Sequence, residues 1–260
     1  MKNLRKYGTA PFNVAVIHGG PGAAGEMAPV ARELATSRGV LEPIQTATSL
    51  EGQVEELKTI LEENGEPPFN LIGFSWGAWL GFIFAARYPL FVKKIILVGS
   101  GPYEAKYAVK ILETRLKRLD ESERIDARAC IEDLDDPAAE VRNRAFARLG
   151  ALLSKADAYD PLPHGSEAGD WQVDIFHSVW EDAAALRRSG KLLELGKHIH
   201  CPVVAIHGDY DPHPAEGVKQ PLSGSVKSFR FILLKNCGHM PWIERQARGK
   251  FFEILNKELC

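Results

Sequence analysis

No segment of the 260-residue chain is apolar over the length a bilayer crossing needs. The opening residues Met1–Tyr7 carry Lys2, Arg5 and Lys6 but lead into no long hydrophobic run, so neither a signal peptide nor a membrane anchor is expected. An excess of one charge is missing too. Thirty-two Lys and Arg stand against 34 Asp and Glu, a formal net charge of −2, with no run of like charges. A nucleic-acid groove or an anionic membrane partner would need a basic surface, and both are excluded on that ground. Cysteine is scarce. The four present (Cys130, Cys201, Cys237, Cys260) are scattered with no metal-ligand spacing, the pattern of reduced thiols in a cytoplasmic protein. With no repeat and no low-complexity tract, the expected partner is a small-molecule substrate. No cofactor and no metal are expected, and the chain is compatible with a monomer or a homodimer.

What is present is an ordinary globular composition, 45% hydrophobic and 25% charged, in a chain long enough for one large α/β domain with an insertion. Residues 13–17 predict a short buried strand running into His18-Gly19-Gly20-Pro21-Gly22. Residues 26–34 predict a helix and 40–44 a strand. Thr48 and Glu51 match a capping box for a helix whose Leu50, Val54, Leu57 and Leu61 share one face. A strand, sharp turn and helix follow over 69–87, then an apolar strand over 92–98. This alternation signals a doubly wound, mostly parallel sheet.

The pattern changes at Tyr103. From there to about Lys197 only helical signals occur: a start at Asp120 with Glu123, another at Asp136-Pro137, a turn-rich tract over 157–170, and a helix over 171–188 stopped by Gly190. Strands resume over 202–207 and 229–234, and a last helix begins near Pro241. The expected division is therefore a core of residues 1–102 and 198–260 with a helical cap, 103–197, over the sheet's C-terminal edge, where open α/β sheets bind ligands.

The candidate chemistry centres on Gly73-Phe74-Ser75-Trp76-Gly77. A serine on a very tight strand-to-helix turn has its hydroxyl pushed into the open and leaves no room for side chains two residues away on either side, which glycine satisfies. A serine hydroxyl also needs a base, an orienting acid and donors for the oxyanion. His239 follows the last strand and Asp211 the one before it, so both reach the same rim as Ser75. Asp209 is a rival for Asp211. The amide of Trp76 is one expected oxyanion donor. Pro21 has no N–H, which leaves Gly19 or, preferably, Gly20 for the second. His18 is expected to brace the glycine loop, Ser100 to line the pocket or act as a spacer, and Trp79, Phe82, Phe84 and Tyr88 to fill the core. His164, His177, His198 and His200 are expected at the surface or in packing. The alternating His207, Asp209, Asp211 and His213 could mimic a metal site, but Pro212 and Pro214 break the strand that reading needs.

Taken together, His18-Gly-Gly-Pro-Gly, Gly-Phe-Ser75-Trp-Gly, Gly208-Asp-Tyr-Asp211 and Gly238-His239, in that order along the chain, resemble the α/β-hydrolase superfamily over nearly the whole chain. The glycine loop with Ser-Trp-Gly is similar to the proline-iminopeptidase branch. The resemblance implies a serine hydrolase cleaving a small ester or amide through an acyl-serine, with the cap between the sixth and seventh strands of that fold. In proline iminopeptidases the serine attacks the carbonyl of an N-terminal proline residue, and acidic cap residues hold the free amine. Acids available here are Glu104, Asp170, Asp174, Glu181 and Asp182, none in a matching motif, and the strand pair ahead of the glycine loop is short or missing. Carboxylesterases and C–C bond hydrolases share the loop, and a ligand-sensing receptor on the same fold is the non-enzymatic alternative.

Overall fold

The computed structural model describes residues 3–163 and 173–260, and of Asp174 the backbone alone. In chain order the elements of the first half are β1 (Leu4–Tyr7), β2 (Phe12–Ile17), α1 (Ala28–Leu34), β3 (Gly39–Pro43), α2 (Leu50–Asn64), β4 (Phe69–Phe74), α3 (Trp76–Arg87) and β5 (Val92–Val98). Then come α4 (Ile111–Arg118), α5 (Glu121–Asp133), α6 (Ala139–Asp157), α7 (Val173–Arg188) and α8 (Lys191–Glu194). The chain ends with β6 (Val203–Gly208), α9 (Glu216–Ser225), β7 (Phe229–Leu234) and α10 (Arg248–Glu258).

Strands apolar on both faces must be covered on both faces, and these are. Ala15, Ile17, Leu71, Ile95, Leu97 and Ala205 pack into one layer with α2 and α3. Their neighbours Val14, Val16, Ile72, Ile96, Val98 and Ile206 pack into the other with α1 and α10. The seven strands run in the order β1-β3-β2-β4-β5-β6-β7. All pairings are parallel except β1 with β3. The chain winds outward from β2 to β3, then returns to place β4 on the other side of β2. The winding thus reverses between β2 and β4, and such a switch point opens a crevice at the strands' C-terminal ends.

Helices α4 to α8 lie between β5 and β6, and α4, α5 and α6 surround a small core of their own, with Leu119, Ala127, Cys130, Ala145, Leu149 and Leu152 buried. That interruption falls between this chain's fifth and sixth strands because a single short strand, β1, precedes the glycine-loop strand. Several boundaries differ from the sequence reading. Ser49, not Thr48, caps α2: its backbone is extended, as a cap requires, and its side chain accepts from Gly52 N–H. Asp120 and Glu123 do form a full capping box. Asp136 instead turns its carboxylate onto the Ala138 amide at 2.8 Å, so α6 begins two residues after Pro137. Pro241 opens only a 3-10 turn (Pro241–Ile243), and the last helix starts at Arg248. Two elements carry no sequence signal. β1 is an edge strand with Arg5 and Lys6 exposed, and α9 forms despite Pro221 because Val218 and Leu222 are wholly buried. The predicted start of α7 at Trp171, the tract over 164–170 with His164 and Asp170, and the Asp174 side chain lie outside the described residues.

Candidate active site

Ser75 joins β4 to α3 with φ 51° and ψ −113°, a left-handed backbone that a β-carbon makes costly. It is held there by its own N–H, donated to Val98 O at 2.9 Å. The turn is so tight that a β-carbon on Gly73 would strike the Gly77 carbonyl, and one on Gly77 would strike the carbonyl of Ile17. Both glycines of the motif are thus required by contact. Ser75 is partly open, between the buried rings of Phe74 and Trp76.

His239 lies five residues past the end of β7, and its Nδ1 is 2.8 Å from Asp211 Oδ2. The second oxygen of Asp211 accepts from both the backbone N–H and Nδ1 of His213, each at 2.9 Å. His207 Nε2 approaches Oδ2 at 3.5 Å while donating to His213 O at 2.7 Å. Burial would raise the Asp211 pKa, but the three imidazoles together hold it well below the usual carboxylate range. A carboxylate so held only accepts, so His239 and His213 each carry their proton on Nδ1. For His239, burial works to depress the pKa, yet Asp211's charge and hydrogen bond outweigh it and the net direction is upward. His213 goes the other way, to about 4, because burial dominates. Its ring stacks on His239 with centroids 4.6 Å apart.

Asp211, His213 and His239 offer donor atoms within 4.8 Å of one another, the arrangement of a metal-ligand cluster. The hydrogen bonds just described engage both Asp211 oxygens and make it the hub. Asp209 takes no part. It accepts from Cys237 N–H at 3.3 Å and faces Lys235 at 3.5 Å. His207, Asp209, Asp211 and His213 therefore do not share one face.

The glycine loop is braced by His18, whose Nδ1 sits 3.0 Å from Gly19 O and whose Nε2 accepts from Gln45 N–H at 3.2 Å. Burial pushes its pKa down to about 4, so the ring is neutral. Gln45 also donates to His18 O and accepts from the Trp76 indole, both at 3.0 Å, tying the glycine loop to the first residue of α3. Gly19 donates its N–H to Glu26 at 3.0 Å, which removes it as an oxyanion donor and leaves Gly20 at the pocket wall. Trp76 opens α3, where the first amides have no partner inside the helix.

These groups border a pocket of about 470 Å³. Ser75, His239, Gly20, Trp76 and Glu26 line it, together with Ile111, Leu134, Phe146, Leu149 and Phe176 from the segment between β5 and β6. Trp79 and Trp180 stack at 5.9 Å, and Phe176 continues the aromatic wall at 5.9 Å from Trp180. Trp79 is thus a lining residue as well as core, whereas Ser100 is buried with its hydroxyl 3.1 Å from Gly101 O and does not border the pocket. Of the acids expected overhead, Glu104 pairs with Lys106, Glu181 is exposed and Asp182 accepts from Leu50 N–H.

Four charged residues that border the pocket carried no motif. Arg115 and Asp157 form a two-bond pair at 2.7 and 2.6 Å. Arg187 lies near the Trp79 ring, 5.4 Å from its centroid. Glu26 is driven by burial to a pKa of about 7. Position after the glycine loop was the only available hint for Glu26. Asp157 also accepts the His239 N–H on its backbone oxygen at 2.9 Å. Nearby, Glu244 accepts three amides, from Tyr159, Asp160 and Gly238, each at 2.8 Å.

Comparison with known proteins agrees with the architecture. A proline iminopeptidase of Lactobacillus delbrueckii subsp. lactis is 24% identical over 266 residues, covering 93% of this chain and 87% of that one. Among solved structures, a proline iminopeptidase of Mycobacterium smegmatis superposes with a TM-score of 0.63 at 18% identity, covering 98% and 93% of the two chains. A monoacylglycerol lipase of Paleococcus ferrophilus gives 0.61 at 17% identity, covering 98% and 97%. The relatives are hydrolases. The sequence model described as the alpha/beta hydrolase fold matches residues 42–246, well over half the chain, and the protein belongs to that family.

Proposed function

We propose that the protein is a serine hydrolase that cleaves a small ester or amide through an acyl-serine intermediate, with residues 103–197 serving as a cap over the site. One observation carries the reading: a serine on a strained turn opens onto the same pocket as a histidine hydrogen-bonded to a buried carboxylate. Ser75 Oγ attacks the substrate carbonyl carbon while His239 Nε2 takes the hydroxyl proton. Asp211 keeps the other imidazole proton on Nδ1 and stabilises the imidazolium. The amides of Trp76 and Gly20 receive the oxyanion. As the tetrahedral intermediate collapses, His239 returns the proton to the leaving alcohol or amine. Water then attacks the acyl-serine, with His239 again as base, releasing the acid and restoring Ser75.

The pocket favours an acyl or leaving group with apolar bulk, since Ile111, Leu134, Phe146, Leu149 and Phe176 line it. A second reading, release of an N-terminal amino acid, draws on the iminopeptidase similarity over 93% of the chain. Against it, Glu26 is the one carboxylate among the described lining residues that is not paired with an arginine, and burial weakens its charge near neutral pH.

The test is a panel of 4-nitrophenyl esters of graded acyl length beside prolyl and alanyl arylamides. Ester turnover that Ser75→Ala lowers by at least about 10³-fold is expected, together with fluorophosphonate labelling of the wild type alone. Preference for the prolyl arylamide would select the aminopeptidase. Labelling without multiple turnover on any substrate would select a receptor, and turnover unchanged in Ser75→Ala would overturn the assignment.

A further inference from the structure

Charges around the pocket cancel, with one exception. Arg115 is matched by Asp157 in a two-bond pair. Glu26 is occupied by the Gly19 amide and is half neutralised near pH 7. His213, with its pKa near 4, is neutral. Arg187 remains. It sits in the last turn of α7, and its guanidinium lies beside the ring of Trp79. Its Nε is buried and donates to no acceptor, and among the described residues no carboxylate pairs with it.

A buried guanidinium N–H without an acceptor is costly, and the cost falls when an anion enters. Arginine presents its donors as a planar fork that fits a carboxylate with two parallel hydrogen bonds. The ring of Trp79 steadies the plane without satisfying any donor. Desolvation also lowers the pKa of Arg187, the effect expected of a cation lacking a counter-charge. Arg187 borders the same cavity as Ser75 and His239, so an anion bound to it belongs to a molecule that occupies the site.

We infer that Arg187 is a specificity-determining residue that binds a carboxylate carried by the substrate away from the bond to be cleaved. This inference rests on the hydrolase reading of the site. The substrate class becomes an apolar ester or amide with a distal carboxylate, its hydrocarbon part along the Trp79–Trp180–Phe176 wall. It also distinguishes the pocket from one built for a free amine, which Arg187 would repel.

The experiment compares matched 4-nitrophenyl esters of six-carbon acids, the hexanoate and the mono-adipate, which differ by the terminal carboxylate. A second pair, phenyl butyrate and 4-carboxyphenyl butyrate, places the carboxylate on the leaving side. In the wild type, kcat/KM for one charged ester should exceed its neutral partner's. In Arg187→Met that charged-to-neutral ratio should fall about tenfold or more, and Arg187→Lys should recover part of it. Ratios near one in the wild type for both pairs, or ratios unaltered in Arg187→Met, would overturn the inference. Because a ratio is read, a uniform loss from altered packing does not imitate the effect, and circular dichroism confirms that each variant folds. The two ideas fail separately: loss of neutral-ester turnover in Ser75→Ala tests the mechanism, while the ratio tests Arg187.

Discussion

Glu26 shows how a single side chain can be costly to its own fold. Buried beside the glycine loop, it has a folded-state pKa of about 7 against an ordinary 4.5. A carboxyl whose pKa is raised by folding binds its proton more tightly in the folded state. Its stabilising effect is complete below pH 4.5 and is lost as pH climbs to about 7. Glu26→Gln keeps an oxygen for the Gly19 amide without the charge. Its melting temperature should therefore gain on the wild type between pH 5 and 7 and hold that lead above it, at about 2–4 °C per kcal/mol. A constant offset across that range in differential scanning calorimetry would refute the assignment. The same residue marks a limit of reading sequence alone. Ser75 and His239 lie within two residues of glycines, and Asp211 three residues after one, each glycine packed where no β-carbon fits, whereas Glu26, Arg115, Asp157 and Arg187 acquire meaning only from what is folded against them.

Among elements, the strand ends carry the proposed chemistry, and a glycine at one strand end protects a side-chain position at another. Gly99, directly after β5, has φ 51°, and a β-carbon on it would lie 2.7 Å from His239 O and 3.0 Å from His239 Nδ1. Gly99→Ala should displace the imidazole and reduce kcat by about a hundredfold, since misplacing a reacting group by an ångström costs about that much. Gly150, in mid-α6, has nothing within 4 Å of the equivalent position. Alanine there should raise stability by about 0.5–1 kcal/mol in chemical denaturation. Equal effects at the two sites would count against this account of the His239 loop. β5 and β7 were legible to the residue, because the apolar runs over 95–98 and 231–234 are bounded by turn residues. α9 was not, since two glycines and Pro221 conceal a helix that packing on Val218 and Leu222 sustains. The start of the last helix has no clear sign, because proline at 241 suits a 3-10 turn as well as a first helical turn.

At the scale of the whole molecule, the helices between β5 and β6 are fastened to the loop that bears His239. Leu162 N–H meets Ile243 O at 2.7 Å, Arg245 N–H meets Asp160 O at 3.0 Å, and Glu244, wholly buried, gathers three amides from both segments. Glu244→Ala would strand those three donors at about 1–3 kcal/mol each, for a loss of roughly 3 kcal/mol or more. The variant should melt well below the wild type and lose kcat disproportionately to KM, whereas Glu244→Gln, which still accepts, should fall between them. A variant with full kcat and a native melting temperature would show that the fastening is dispensable. Helix order was readable from capping residues such as Asp120 with Glu123, but this joint joins positions some 85 residues apart and has no local sign.

Asp157 adds a consequence of its own. Its carboxylate grips Arg115 of α4 while its carbonyl holds the amide of His239, so one residue links a helix that lines the pocket to the proposed base. A displacement of α4 at that point would pull on the histidine proposed to activate Ser75. Under the proposed mechanism, access and reactivity would then share a single joint, because whatever shifts α4 at Arg115 also shifts the amide that positions His239.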